Sequence, residues 1–375
     1  MSPSRTTANH RYAVVIAGGS GTRLWPMSRS VLPKQLIPFI DGQSLLQIAV
    51  ARLEQVVAPG CCYICAGEGH RQAVLAALPS FPVDSYIGEP MGRDTLCAIG
   101  LSAAVIAQRD PQAVLGVFTA DHVIKPVDHF RAIVSRGFAV AEETPHALVT
   151  FGISPTYAAT GYGYLELGAA SGAGAGARPV ARFKEKPDAA HAEQYLAAGP
   201  EHYLWNSGMF VWRVATLLDC IRRYQPQVHA GLLRIAAAWD TPRRAEVAAE
   251  VYPGLKKISV DYAVMEPASK DPELAVLAVP MPLSWLDVGS WPAFAQTCPK
   301  DAQGNALAAE RHLLLETRNS LIASNDPGHL IAAIGCEDLI VIHTPQATLI
   351  CRRDRAEEIK ALHAQVAERF GPELL

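Results

Sequence analysis

The chain has 375 residues and a formal net charge of −3; half of its residues are hydrophobic and 18% are charged. That length supports one large or two smaller globular domains, and the charge offers no general attraction to nucleic acid or to an anionic membrane. No apolar run reaches the length of a membrane helix, and the opening "MSPSRTTANHRY" lacks the apolar core of a signal peptide. Residues 1–10 therefore read as a disordered lead-in, and the protein as cytoplasmic.

In chain order, "YAVVIAG" is a short apolar strand that runs into a glycine cluster, and "SLLQIAVARLEQVV" follows with apolar residues at helical spacing. The same alternation recurs: "CCYICAG" before "HRQAVLAAL", "VDSYIG" before "TLCAIGLSAAVIAQ", "AVLGVFTA" before "HFRAIVSRGFAVAEE", then "ALVTFGI". Repeated strand-then-helix units predict an α/β domain, a doubly wound sheet with helices on both faces. After Gly152 two strands flank a Gly/Ala-rich loop from Ala169 to Ala177, and helical patterns return at 191–198 and 215–249. A strand-rich piece from Leu313 to Cys351 and an amphipathic helix, "RAEEIKALHAQVAERF", close the chain, after a soft boundary in "PKDAQGN". Among eight cysteines, Cys62 and Cys65 form a C-x-x-C. Metal or redox chemistry is one reading; the other is core packing in an apolar strand, since no second C-x-x-C completes a zinc site.

The segment "AGGSGTRLWPMSRSVLPKQ" carries the first chemistry. Gly18, Gly19 and Gly21 stand where the first strand must turn, so the backbone can approach an anion closely. It is not a Walker loop, because Arg23 follows Gly18 by five positions, and Leu24 breaks the dinucleotide fingerprint. Arg23 and Lys34 place a forked cation and a point charge on a proline-stiffened path, which suits a phosphate chain; a glycine turn with two solvated charges is the plainer alternative. Asp121, in "FTADHVI", is at the carboxyl end of a strand, where it suits a metal site or the cap of a following helix.

The loop resembles the signature of sugar-1-phosphate nucleotidyltransferases, and "RLWP" with "PKQ" is similar to the mannose-1-phosphate guanylyltransferase branch. "GEPMGRDT", "FTADH", "TGYGY", "FKEKP", "WNSGMF", "VDYAVME" and "SWLDVGSW" resemble further blocks of that family, in its order. Thr119 replaces the usual proline before "ADH", and Asp94 stands where asparagine is expected. The resemblance implies a Rossmann-like nucleotidyltransferase domain at 11–300 and a β-helix-like unit with a terminal helix at 305–375. It implies transfer of GMP from GTP to mannose 1-phosphate, with Mg²⁺ on Asp121 and Asp287 and with Arg23, Lys34 and Lys186 as the catalytic cations. Nucleotide contacts would come from Ala17, Gly18, Gly19, Gly21, Thr22, Arg23, Lys34, Gly92, Asp94 and Thr95, and sugar-phosphate contacts from Gly163, Glu185, Lys186, Asn206 and Asp261. Asp94 either reads the guanine edge or caps the following helix. The family's terminal β-unit implies a homodimer, though His343 and Pro345 replace commonly acidic residues there. Another sugar and nucleotide pair, or a non-catalytic nucleotide-sugar sensor, are the competing readings.

Overall fold

In the computed structural model, which describes residues 10–19, 21–40, 42–169 and 176–375, strand β1 (Arg11–Ile16) pairs in parallel on both sides. Its neighbours are β2 (Cys62–Gly67) and β4 (Val114–Thr119), and β3 (Tyr86–Glu89) extends the sheet beyond β2. Residues 1–9 of the lead-in and 170–175 of the Gly/Ala loop lie outside the described residues, whereas His10 is tied to Asp110 through Nδ1 at 2.7 Å. Adding β5 (Ala147–Ile153), β6 (Tyr164–Leu167), β7 (Arg178–Lys184), β8 (Tyr203–Arg213) and β9 (Ala275–Pro280) gives the order β3-β2-β1-β4-β8-β5-β9-β7-β6. The sheet is mixed, because β8 runs antiparallel between β4 and β5, and β7 runs antiparallel to β9 and β6. Strand-helix alternation predicts parallel pairing, but it carries no information on a strand that returns from the second half of the chain.

Both faces are covered, as a doubly wound sheet requires. Helices Asp94–Arg109, Val214–Tyr224 and Pro226–Ala237 bury their apolar stripes on one face, and Leu45–Ala51 and Val127–Glu143 on the other. The helix predicted from "SLLQIAVARLEQVV" is cut short at Ala51. Arg52 is buried and turns its guanidinium inward, and Gln55 adopts a φ of 70°, which an α-helix cannot accept. Cys62 and Cys65 pack on opposite faces of β2, as an odd spacing along a strand dictates, so they cannot share a metal. Burial raises both thiols, Cys62 to about 12, which fits inert core residues.

The C-terminal strands stack in turns. β10 (Ala306–Ala308), β12 (Leu321–Ser324) and β14 (Leu339–His343) pair in parallel, and β15 (Thr348–Arg352) closes that sheet antiparallel. β11 (Arg311–Leu315) and β13 (Leu330–Ile334) form a second parallel pair. This unit shares a core with the glycine loop: Leu24, Trp25 and Met27 pack with Trp291, Leu321, Ile340 and Ile359. The chain end adds polar ties, with the Trp25 indole donating to the Leu374 carbonyl at 2.8 Å and the Ser30 N–H to that of Leu375 at 3.0 Å.

Candidate active site

The loop after β1 is shaped by one glycine above the others. Gly21 has a φ of 62°, and a Cβ there would stand 2.5 Å from Ser28 Oγ and 2.9 Å from Lys34 Cβ, so both backbone and space exclude a side chain. The chain then winds through a short 3₁₀ turn, Thr22–Leu24. Leu24 anchors that turn in the core while Arg23 projects outward, its guanidinium 3.4 Å from the Glu357 carboxylate. Ala17 is buried at the strand end, Gly18 and Gly19 are exposed, and the Gln35 amide donates to the Gly18 carbonyl at 2.5 Å.

Asp121 follows β4 and does not cap a helix. The next residues form a strand, His122–Lys125, paired antiparallel with Ser284–Asp287, and this ribbon sets Asp287 opposite His122. Donor atoms of Asp121, His122 and Asp287 lie within 4.8 Å of one another. His122 has a different task from the two carboxylates. Its Nδ1 receives the Trp285 indole N–H at 3.1 Å, and an indole can only donate, so the ring is neutral with its proton on Nε2. Burial lowers its pKa to about 4, consistent with that neutral form. The donors left for an ion are carboxylate oxygens, which suit a hard divalent cation. Arg52 braces the turn from beneath, donating to the carbonyls of His122 at 2.7 Å and Thr119 at 2.5 Å.

Lys34 Nζ stands 2.6 Å from Asp121 Oδ2, with its side chain only 11% exposed. Burial works against its charge, but Asp121 and Asp287 together hold it above the ordinary lysine value. Burial also opposes charge on both carboxyls. Lys34 nevertheless keeps Asp121 well below the usual range, while burial and the neighbouring Asp121 charge push Asp287 up.

A second group of residues gathers beside β8. The β5–β8 register shifts between Asn206 and Phe210, and Gly208 has a φ of 69°. Such a bulge re-aims side chains. Asn206 Oδ1 accepts the Thr150 hydroxyl at 2.8 Å, and its Nδ2 donates to Asp261 Oδ1 at 2.9 Å. A Cβ at Gly163 would stand 2.5 Å from Glu185 Oε2. Lys186 reaches Glu185 Oε1 at 3.2 Å from a backbone with a φ of 44°. Burial, and then Glu185, raise Asp261 to about 7. Tyr162 packs edge-on to both Trp205 and Trp285, each at 5.2 Å, and so links this group to the Asp287 ribbon.

Gly92 and Asp94 are exposed where helix Asp94–Arg109 begins. Asp94 has a φ of 64°, and its carboxylate accepts the Thr95 N–H at 2.8 Å, whereas the cap position belongs to Arg93. The Thr95 hydroxyl accepts the Val260 N–H at 2.9 Å and joins this segment to "VDYAVME".

Sequence reading missed Glu89, Tyr252, Arg52 and His122. Glu89 ends β3 buried, accepts the Tyr252 hydroxyl on Oε1, and turns Oε2 towards Gly18. A carboxylate closing an apolar strand was the visible signal. Burial raises it to about 7, so above pH 7 its charge costs the fold on the order of 3 kcal/mol relative to the unfolded chain. The shift is upward, so this cost is absent below the ordinary glutamate pKa of 4.5 and grows as pH rises to about 7. Glu89→Gln should therefore melt several degrees above the parent at pH 8 and match it at pH 4.5. Equal melting at both pH values would contradict this.

A glycine loop at the first strand end of a mixed α/β sheet, with a buried lysine and two carboxylates beside it, is the build of a phosphate-handling enzyme. The chain belongs to the nucleotidyl transferase family, whose model matches residues 12–304. A model described as the MannoseP isomerase/GMP-like beta-helix domain matches residues 310–365. The xanthan biosynthesis protein XanB of Xanthomonas campestris pv. campestris is 36% identical over 359 residues, covering 94% of this chain and 72% of that protein. A mannose-1-phosphate guanylyltransferase of Klebsiella pneumoniae is 36% identical over 353 residues, covering 92% and 72%. A crystal structure titled mannose-1-phosphate geranyltransferase from Thermus thermophilus superposes with a TM-score of 0.82 at 31% identity, covering 95% of this chain and 99% of that one.

Proposed function

We propose that the protein transfers GMP from GTP to mannose 1-phosphate, giving GDP-mannose and pyrophosphate. The observation that carries this reading is the meeting of Lys34, Asp121 and Asp287 beside the glycine loop, with Arg23 on its outer turn. The sugar and nucleotide come from relatives that are named mannose-1-phosphate guanylyltransferases. Residues 11–300 would form the catalytic unit, and 305–375 the β-rich unit that buttresses its loop. With free cysteines throughout the described residues, a reducing cytoplasm is the natural setting.

In this mechanism a phosphate oxygen of mannose 1-phosphate attacks the α-phosphorus in line, and the bond to the departing pyrophosphate breaks. The sugar phosphate is already an anion at neutral pH and needs no general base. Lys186 meets that phosphate, while Glu185, Asn206 and Asp261 hold the sugar hydroxyls above Gly163. Arg23 and Lys34 offset charge on the pyrophosphate. Mg²⁺ held by Asp121 and Asp287 would neutralise phosphate oxygens when bound. Catalysis is then positioning and electrostatic stabilisation.

For the base, Glu89 is better placed than exposed Asp94. Its Oε1 accepts the Tyr252 hydroxyl, so Oε2, which faces the loop, is the oxygen left to accept an N–H of the guanine edge. Glu89→Gln should reduce the preference for GTP over ATP by about 10- to 100-fold, the range for charge-assisted hydrogen bonds. An unchanged ratio would remove it from base recognition.

The test of the reaction is pyrophosphate release with Mg²⁺, crossing GTP, ATP, UTP and dTTP against mannose and glucose 1-phosphates. Release mainly with GTP and mannose 1-phosphate supports the reading. Release with another pair overturns the substrates but keeps the chemistry, and silence from folded protein would favour a sensor.

A homodimer belongs to the same reading. Leu313, Leu315, Leu330 and Ile334 are exposed on β11 and β13, where Leu315 pairs with the 71% exposed Ile334, and a second copy is the partner that would cover this parallel pair. Ile334→Asp should convert a dimer to a monomer in light scattering, and a parent chain that runs as a monomer would contradict the assignment.

A further inference from the structure

Asp326, His329 and His343 have ligand chemistry that the reaction does not use. His343 ends β14 and lies in register with Ser324, the last residue of β12. Asp326 and His329 belong to the turn between β12 and β13, so three side chains from two adjacent turns of the stack converge at one end. Their donor atoms lie within 4.8 Å of one another. We propose that this His₂Asp cluster binds a transition-metal dication of the zinc class, separately from the Asp121–Asp287 pair.

Three features support the assignment. The Asp326 turn is built before any ion arrives: its N–H donates to Ser324 Oγ at 3.0 Å, its Oδ1 accepts the Gly328 N–H at 2.9 Å, and its carbonyl accepts the His329 N–H at 3.2 Å. His343 Nδ1 is engaged by Thr348 Oγ1 at 2.9 Å, from the cross-strand partner on β15. A hydroxyl that accepts from Nδ1–H leaves Nε2 as a lone pair, the arrangement that outer partners impose on metal-bound imidazoles. Finally, the His329 and His343 rings stack with centroids 3.5 Å apart and planes 13° from parallel. Stacked rings hold their nitrogen lone pairs in parallel planes, so both imidazoles already stand at one corner and one ring must turn before they share an ion. Ligands about 2.0–2.1 Å from a tetrahedral ion stand roughly 3.3 Å from each other, and the exposed His329 has only to rotate its ring to converge on it.

The donor set fixes the class. Two imidazoles and one carboxylate favour zinc, copper or nickel over magnesium, and three protein ligands leave a fourth position for water. An ion here would tie the β12–β13 turn to β14, in the unit whose core continues into the glycine loop.

The experiment uses the full chain, stripped with chelator and held in excess Mg²⁺, and titrates Zn²⁺ against a chromophoric chelator. The parent should take up one equivalent of zinc and melt at a higher temperature with it, and Co²⁺ in its place should give the visible bands of a tetrahedral site. His343→Gln and Asp326→Asn should lose that equivalent while melting like the stripped parent. Thr348→Val should weaken zinc by about 10- to 100-fold, as loss of an outer partner does. Absence of zinc uptake by the parent, or uptake unchanged in both ligand variants, overturns the proposal and in the second case points to thiols such as Cys61.

Discussion

Replacing Asp121 with Asn is expected to lower turnover by on the order of 10²–10³-fold and to raise the divalent-ion concentration needed for half-maximal rate. Asparagine keeps the size of the side chain and one oxygen for Lys34, so the turn after β4 should survive. The Arg52 bonds to the Thr119 and His122 carbonyls, which hold that turn, do not involve the carboxylate. What disappears is one of the two charges that would hold the metal, together with the partner that keeps Lys34 ionised despite its burial. Loss of a single preorganised electrostatic contact at reacting oxygens commonly costs this much. The check is pyrophosphate release over a Mg²⁺ series, with thermal melting to show that the variant is folded. Turnover within tenfold of the parent, at unchanged metal demand, would remove Asp121 from the metal site.

Arg23→Ala should be at least as damaging, on the order of 10³-fold, the lower end of what an arginine contributes to phosphoryl transfer. The side chain leaves a turn that buried Leu24 and Trp25 lock in place, so its cost is not mainly one of stability. Arg23→Lys should recover only part of the loss, because an ammonium lacks the planar fork that grips two phosphate oxygens. The Glu357 contact supplies the control. At 3.4 Å and with Glu357 74% exposed, that ion pair is a weak surface contact. Glu357→Gln should therefore leave kcat within a few-fold of the parent. A fall in Glu357→Gln as large as that in Arg23→Ala would mean that this contact orders the loop, and a small fall in Arg23→Ala would mean that Arg23 does not meet the phosphates.

Much of the chain was legible as sequence, because local pattern is enough to encode it. The strand-then-helix alternation from Tyr12 to Ile153 marked each buried strand, since a strand covered on both faces must be apolar throughout. Gly18, Gly19 and Gly21 were legible together as a turn, of which the structure singles out Gly21, and Asp121 was legible as a residue at a strand end. The C-x-x-C could be discounted from the lack of a second pair, and strand geometry supplied the reason.

Other features depended on contacts between residues far apart in the chain, which no local pattern records. Asp287 joins Asp121 only because a two-stranded ribbon pairs residues 122–125 with 284–287. Tyr252 reaches Glu89 across 163 positions, and Arg52 becomes a brace beneath the Asp121 turn rather than the next residue of a helix. The chain determined by itself which residue types stand at strand ends and glycine turns, because backbone sterics and burial act over a few residues. Only the tertiary structure decided which of them share a charge, a proton or an ion, because electrostatic coupling depends on distance in space and on the burial that packing creates.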